Sequence, residues 1–199
     1  MFSDDFSGSA DDLLSARSGW TKHTGSDVLK INASNQLKGV SGGDSAFYYC
    51  TDLGASNAYA QCVVAGVGKI VGLTLTFETG AGHCVGVFWG TATNYKVFKN
   101  YFTLIQDTGV APSASDVVAI EYNSGAVRVL RNGSEIYSGT PSLDTVGTKA
   151  GLVAYYADNT DPVIDNFVAD TGTIPAGGGI PGYPLLQRTR GLVPGVSFP

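Results

Sequence analysis

Residues 116–139 read DVVAIEYNSGAVRVLRNGSEIYSG. Val118, Ile120 and Tyr122 alternate with Val117, Ala119 and Glu121, and the runs AVRVLR and EIY follow at short intervals. Alternation over runs this short is the period of a β-strand, because successive side chains leave opposite faces. The breaks are Asn123-Ser124-Gly125 and Asn132-Gly133. Asn and Gly tolerate the positive φ that tight hairpins demand, and Asn-Gly between two apolar runs is a strong short-range hairpin signal. The stretch is therefore an antiparallel meander with one face on a core and the other in water. No catalytic residue type stands out in it, so its role is scaffold.

The same pattern extends both ways. Toward the N-terminus lie VLKIN (28–32), NQLKG (35–39), AFYYCT (46–51), YAQCVVAGV (59–67) and KIVGLTLTFET (69–79). HCVGVFWG (83–90), NYKVFK (94–99) and YFTLIQ (101–106) lead into the meander; KAGLVAYYA (149–157) and PVIDNFVAD (162–170) follow it. A dozen short strands with turn punctuation predict an all-β sandwich. One helical signature interrupts them, SADDLL (9–14), with Ser9 as N-cap and Asp12 three residues on.

A chain of 199 residues has room for one such sandwich plus an extension. The net charge of -5 argues against a nucleic-acid binder, which needs clustered Lys and Arg. No window approaches the apolar length of a membrane span, and the acidic start MFSDDFSGSADD has no apolar signal-peptide core. Cys50, Cys62 and Cys84 form no CxxC pair and sit in apolar runs. They are expected to be buried, reduced thiols of a protein made in a reducing compartment, although spacing alone leaves a Cys50–Cys62 bridge open.

After Asp170 the composition changes. Residues 171–199 hold five of the eight prolines, seven glycines and no acid. They are also apolar, carrying Ile180, Tyr183, Leu185, Leu186, Leu192, Val193 and Phe198 beside Arg188 and Arg190. Disordered linkers are poor in apolar residues, and Pro excludes a long helix. This segment is expected to be an extended arm, its side chains set against a partner or against its own sandwich. The expected organisation is a sandwich over 1–170 and an arm over 171–199.

Taken in order, several features resemble the concanavalin A-like (laminin-G-like) jelly roll: DDFSG followed by a short turn, LKINASNQLKG, the hairpin VRVLRNGSEIY, and AGLVAYYADNTDPVIDNFVAD near the end. The resemblance covers residues 2–170. It implies two antiparallel sheets whose first and last strands lie side by side, near Asp5-Phe6 and Asn166-Phe167. Domains of this kind occur in lectins, glycan hydrolases, adhesion modules and phage virion proteins.

Hydrolases of that fold carry an E-x-D-x-x-E strand, because retaining hydrolysis needs two carboxyls about 5 Å apart. Here Glu78, Glu121 and Glu135 are the only glutamates, and none has another carboxylate two or four residues away. His23 and His83 are the only histidines and make no metal-ligand spacing. His83 and Cys84, adjacent on a predicted strand, point to opposite faces. ADNTDP (157–162) offers Asp158, Asn159 and Asp161, short of the six to eight oxygens calcium takes, and reads as an Asx-type turn. Neither an enzyme nor a metal or other cofactor is expected. Trp89, Tyr155 and Tyr156 are the aromatics for stacking on a sugar.

Two functions fit. The first is a bacteriophage virion protein, a capsid decoration or tail-fibre component assembled in the host cytoplasm. Its arm would clasp other virion proteins and copies of itself in a homo-oligomer, with host-surface glycan as a further partner. The alternative is a lectin-like carbohydrate-binding module.

Overall fold

The computed structural model describes residues 1–175 except 26–28, 40–45, 69, 79–82, 91–92, 101–102 and 156–161. The strands are β1 (Phe2–Asp4), β2 (Thr21–Thr24), β3 (Leu29–Ile31), β4 (Leu37–Gly39), β5 (Ala46–Asp52), β6 (Ala58–Val64), β7 (Ile70–Phe77), β8 (Val85–Gly90), β9 (Thr93–Lys99), β10 (Thr103–Asp107), β11 (Val117–Asn123), β12 (Ala126–Arg131), β13 (Ser134–Gly139), β14 (Lys149–Tyr155) and β15 (Pro162–Thr171). They form two antiparallel sheets. One has eight strands in the order β13-β12-β11-β6-β15-β4-β3, with β1 also on β15. The other has seven, in the order β10-β9-β8-β7-β14-β5-β2.

The meander is β11–β13. Asn123 pairs with Ala126 across Ser124-Gly125, and Arg131 pairs with Ser134 across Asn132-Gly133. Both residues of each loop have positive φ (Ser124 50°, Gly125 93°; Asn132 52°, Gly133 79°), the backbone of type I′ turns. That turn carries the right-handed twist of its strands, and its two-residue length pins the register.

Alternation places the core between the sheets. Val118, Ile120 and Tyr122 of β11, Ala60 and Cys62 of β6, and Val127 and Val129 of β12 meet Val71, Leu73 and Leu75 of β7, Val85, Val87 and Trp89 of β8, and Leu152 of β14. The terminal strands meet as the resemblance implies, with Asp4 opposite Phe167 and Phe2 opposite Ala169. A bulge between Asp165 and Val168, with Asn166 at φ 50°, lets β15 pair first with β4 and then with β1.

Two expectations are corrected, and one strand is added. SADDLL is not a helix. Asp12 N–H donates to Ser9 O, and the Asp12 carboxylate accepts from Ser9 N–H at 3.0 Å. Asp11 has φ 71°, its N–H donates to Ile31 O and Asp12 O accepts from Ile31 N–H, so after one turn the segment stitches to β3 instead of continuing a helical ladder. One 3-10 turn, Leu14–Ala16, follows. Secondly, β2 was not anticipated, because Thr21–Thr24 reads TKHT and has no apolar alternation. Thirdly, the face of β11 opposite the core is not open to water, since Ala119 and Glu121 are both buried.

Candidate functional site

Trp89 does not face solvent. It shares the parity of Val85 and Val87, is fully buried in the core and lies 5.8 Å from the Tyr95 ring, so it offers no platform to a sugar. Tyr155 ends β14 opposite Ile70, and its side chain, like all of Tyr156, lies outside the described residues. The arm residues Ile180, Tyr183, Leu185, Leu186, Arg188, Arg190, Leu192, Val193 and Phe198 lie outside them too, as do Asp158, Asn159 and Asp161. Among the described residues no three of His, Cys, Asp and Glu are placed to share a metal. Cys62 and Cys84 are free, so no Cys50–Cys62 bridge forms. Burial pushes the Cys84 thiol up to about 12 and raises Cys62 as well, which leaves both as inert small hydrophobes. His83 lies just before β8 rather than on a strand, its Nδ1 3.6 Å from Asp144.

The chemistry gathers instead on the outer face of the seven-stranded sheet. A second buried cluster forms there, Phe77, Cys84, Phe98 and Val153, with Phe88 partly exposed against it. Cys84, Phe88, Phe98 and Val153 have the parity opposite to the core, and Phe77 joins them because the register of β7 against β14 shifts between Thr74 and Phe77. The cross-strand register sets each ring beside a glycine, Phe88 opposite Gly72 and Phe98 opposite Gly86. The fit is close, since a Cβ on Gly86 would stand 2.4 Å from Phe98 Cζ and 2.5 Å from Leu73 O. The Phe88 and Phe98 rings are 5.4 Å apart.

Thr74 sits between Gly86 on one neighbouring strand and Gly151 on the other. Its hydroxyl is buried with no hydrogen-bond partner, and so is that of Thr76, a β-branched residue held at φ 55°. A buried unpaired hydroxyl costs about 1–3 kcal/mol, and backbone strain of this sort gathers at functional sites.

Polar groups edge the apolar floor. Asn94 Nδ2 donates to Asp107 Oδ1 at 2.8 Å, and Lys96 Nζ lies 3.8 Å from Asp107 Oδ2. Hydrogen bonds from Gly109 N–H and Asn94 hold the Asp107 carboxyl below its ordinary pKa. At the other end Lys149 pairs with Asp52 at 3.4 Å, and the His23 ring stands edge-on to Phe77 at 4.8 Å. Burial lowers the His23 pKa, so the ring is neutral at pH 7. An apolar floor with a few fixed polar groups is the make-up of a small-ligand site. Residue type alone could not find it, because the glycine–aromatic pairs exist only once the register is known.

The outer face of the eight-stranded sheet is different. Arg128 on β12 lies between Glu135, at 2.9 Å, and Glu121, at 3.7 Å, a charge ladder across three strands.

No protein-family model matches the chain, and no curated protein matches it in sequence. Solved structures match its fold. A carbohydrate binding module, CBM66, from Bacillus subtilis aligns with a TM-score of 0.54 at 13% identity, over 78% of this chain and 94% of that one. A protein with a galectin-like fold, also from Bacillus subtilis, gives 0.53 at 13%, over 82% and 96%. A β-glucanase from Bacillus licheniformis gives 0.51 at 12%, over 86% and 98%. At such identities the likeness is one of fold. The chain is an all-β, concanavalin A-like jelly roll of two antiparallel sheets.

Proposed function

We propose that this protein is a non-catalytic carbohydrate-binding module whose ligand lies on the outer face of the seven-stranded sheet. One observation carries the reading: a partly exposed aromatic, Phe88, stands on an apolar floor edged by Asn94, Lys96 and Asp107. A sugar ring has an apolar face to lay on an aromatic and hydroxyls around its edge that both donate and accept. The fold is shared with a protein named as a carbohydrate binding module and with a glucanase. Between binding and cleavage, the carboxylates favour binding. Glu121 and Glu135 bracket Arg128 on one sheet, while Glu78 follows β7 in the other. Attachment to a virion through residues 171–199 is a narrower reading that rests on the composition of that segment alone, and the compared structures lend it nothing.

The test is a glycan array probed with the folded protein, then titration calorimetry on the strongest ligand. Phe88→Ala should weaken binding at least tenfold and Asp107→Ala several-fold, with the fold retained by circular dichroism. An array with no specific ligand, or full affinity in Phe88→Ala, would sink the assignment.

A further inference from the structure

Asn132-Gly133 is the one Asn-Gly pair in the chain, and it carries chemistry beyond that of a turn. Glycine has no Cβ to keep its backbone nitrogen from approaching the asparagine Cγ. That nitrogen, once its proton has gone to hydroxide, can attack Cγ. The Cγ–Nδ2 bond breaks, Nδ2 takes a proton from water and leaves as ammonia, and a five-membered succinimide remains. Water then opens the ring. Attack at Cγ gives aspartate, and attack at the main-chain carbonyl carbon of residue 132 gives isoaspartate. No oxidant, metal or second protein is needed.

Both residues are exposed, so water and hydroxide reach them. The amide itself is clamped. Asn132 Nδ2 donates to Asp116 Oδ1 at 2.8 Å, and Asn132 Oδ1 accepts from Val117 N–H at 2.8 Å. Its main-chain N–H donates to Val117 O, also at 2.8 Å. All three bonds run to the start of β11, on the neighbouring strand. Asp116 is in turn held by Tyr95, Ser113 and Arg131. Swinging Cγ onto the Gly133 nitrogen breaks both side-chain bonds, so the reaction waits until this end of the β11–β12 ladder opens.

The product cannot remake the clamp. An aspartate at 132 has no N–H to give, and its carboxylate faces Asp116 Oδ1 where the amide now donates. Two carboxylates at that distance resist ionising together. Isoaspartate routes the main chain through Cβ and so lengthens a two-residue turn that sets the β12–β13 register.

We propose that Asn132-Gly133 is a site of spontaneous deamidation, guarded by Asp116 and Val117 while the hairpin is closed. It converts when this corner opens, and the product then prevents the corner from closing as before. The reaction is a one-way mark on molecules that have opened.

The test follows the full chain at pH 8, folded and in concentrated guanidinium chloride. Conversion at residue 132 is read by mass spectrometry after digestion at acid pH, with isoaspartate labelled by an isoaspartyl methyltransferase. It should run at least tenfold faster in the denaturant than in the folded chain, and equal rates overturn the proposal. Asn132→Asp makes the aspartate product directly. It should unfold at lower urea than the parent at pH 7, the gap narrowing as pH falls through the carboxylate range. A variant as stable as the parent at pH 7 overturns the one-way mark. Folded Asp116→Ala should convert at least tenfold faster than the folded parent, and an unchanged rate removes Asp116 as the guard. Should that variant not fold, the first two comparisons decide.

Discussion

Asp116 shows how much one carboxylate holds in this sandwich. It is buried at the mouth of β11, and Oδ2 accepts from Tyr95 Oη at 2.9 Å, Arg131 Nε at 2.7 Å and Ser113 N–H at 2.8 Å. Oδ1 accepts from Asn132 Nδ2 at 2.8 Å, and Asn132 Oδ1 in turn accepts from Val117 N–H. One side chain therefore ties β9 of one sheet to the β12–β13 turn of the other. Burial raises its pKa, but the donors from Arg131, Asn132, Ser113 and Tyr95 outweigh burial and leave it below the ordinary value. A depressed carboxylate stabilises the fold above its unfolded pKa of about 4, and that contribution is lost as pH falls through the lower folded value. Asp116→Asn should cost about 2–4 kcal/mol at pH 7, since it strips a buried network of its charge and leaves Arg131 unpaired. It should also flatten the fall in stability below about pH 4. Urea unfolding of both proteins between pH 2.5 and 7 measures this, and parallel pH curves would mean that other carboxylates carry the acid limb.

At the scale of elements, the hairpins show what local chemistry reveals and what it hides. Asn132-Gly133 could be placed from sequence because few residue pairs tolerate two consecutive positive φ values, and the structure has both. Gly133→Val should therefore destabilise by about 2–3 kcal/mol, a β-branched residue being strained at φ 79°. An unchanged thermal midpoint would show that the turn relaxes at no cost. The faces of the strands were only half legible. Residue type alone suggests Trp89 as a sugar platform, whereas its parity with Val85 and Val87 points inward. Glu121 read as a solvent-facing residue because alternation cannot say whether the outer face is covered. The rings of Phe88 and Phe98 gain their setting from Gly72 and Gly86 on neighbouring strands, a relation between segments 12 to 16 residues apart in sequence that periodicity does not carry.

For the molecule as a whole, the seam between β1 and β15 tests whether the first and last strands belong to the same cooperative unit as the middle of the sandwich. The terminal seam is knit closely. Phe2, Phe6, Trp20 and Phe167 cluster with ring centroids 5.0–6.4 Å apart. Trp20 Nε1 donates to Asp4 Oδ2 at 2.8 Å, and Arg17 grips both oxygens of Asp4. The α-amino group of Met1 meets Asp170 at 2.9 Å, though that exposed pair adds little. Phe6, Trp20 and Phe167 pack into the same buried cluster as Trp89. A continuous apolar core of this size should unfold all-or-none. The two tryptophans, one at the seam and one at mid-sandwich, let this be seen directly. Trp89→Phe leaves Trp20 as the only indole, and Trp20→Phe leaves Trp89. Each variant will have its own stability, since one loses a buried unpaired N–H and the other a hydrogen bond to Asp4. The comparison is therefore made within each variant, fluorescence against far-ultraviolet circular dichroism in urea. The two signals should share one midpoint in both proteins. If Trp20 fluorescence changes at a lower urea concentration than the dichroism of the same variant, β1 and the end of β15 open as a separate unit and the core is not one cooperative block.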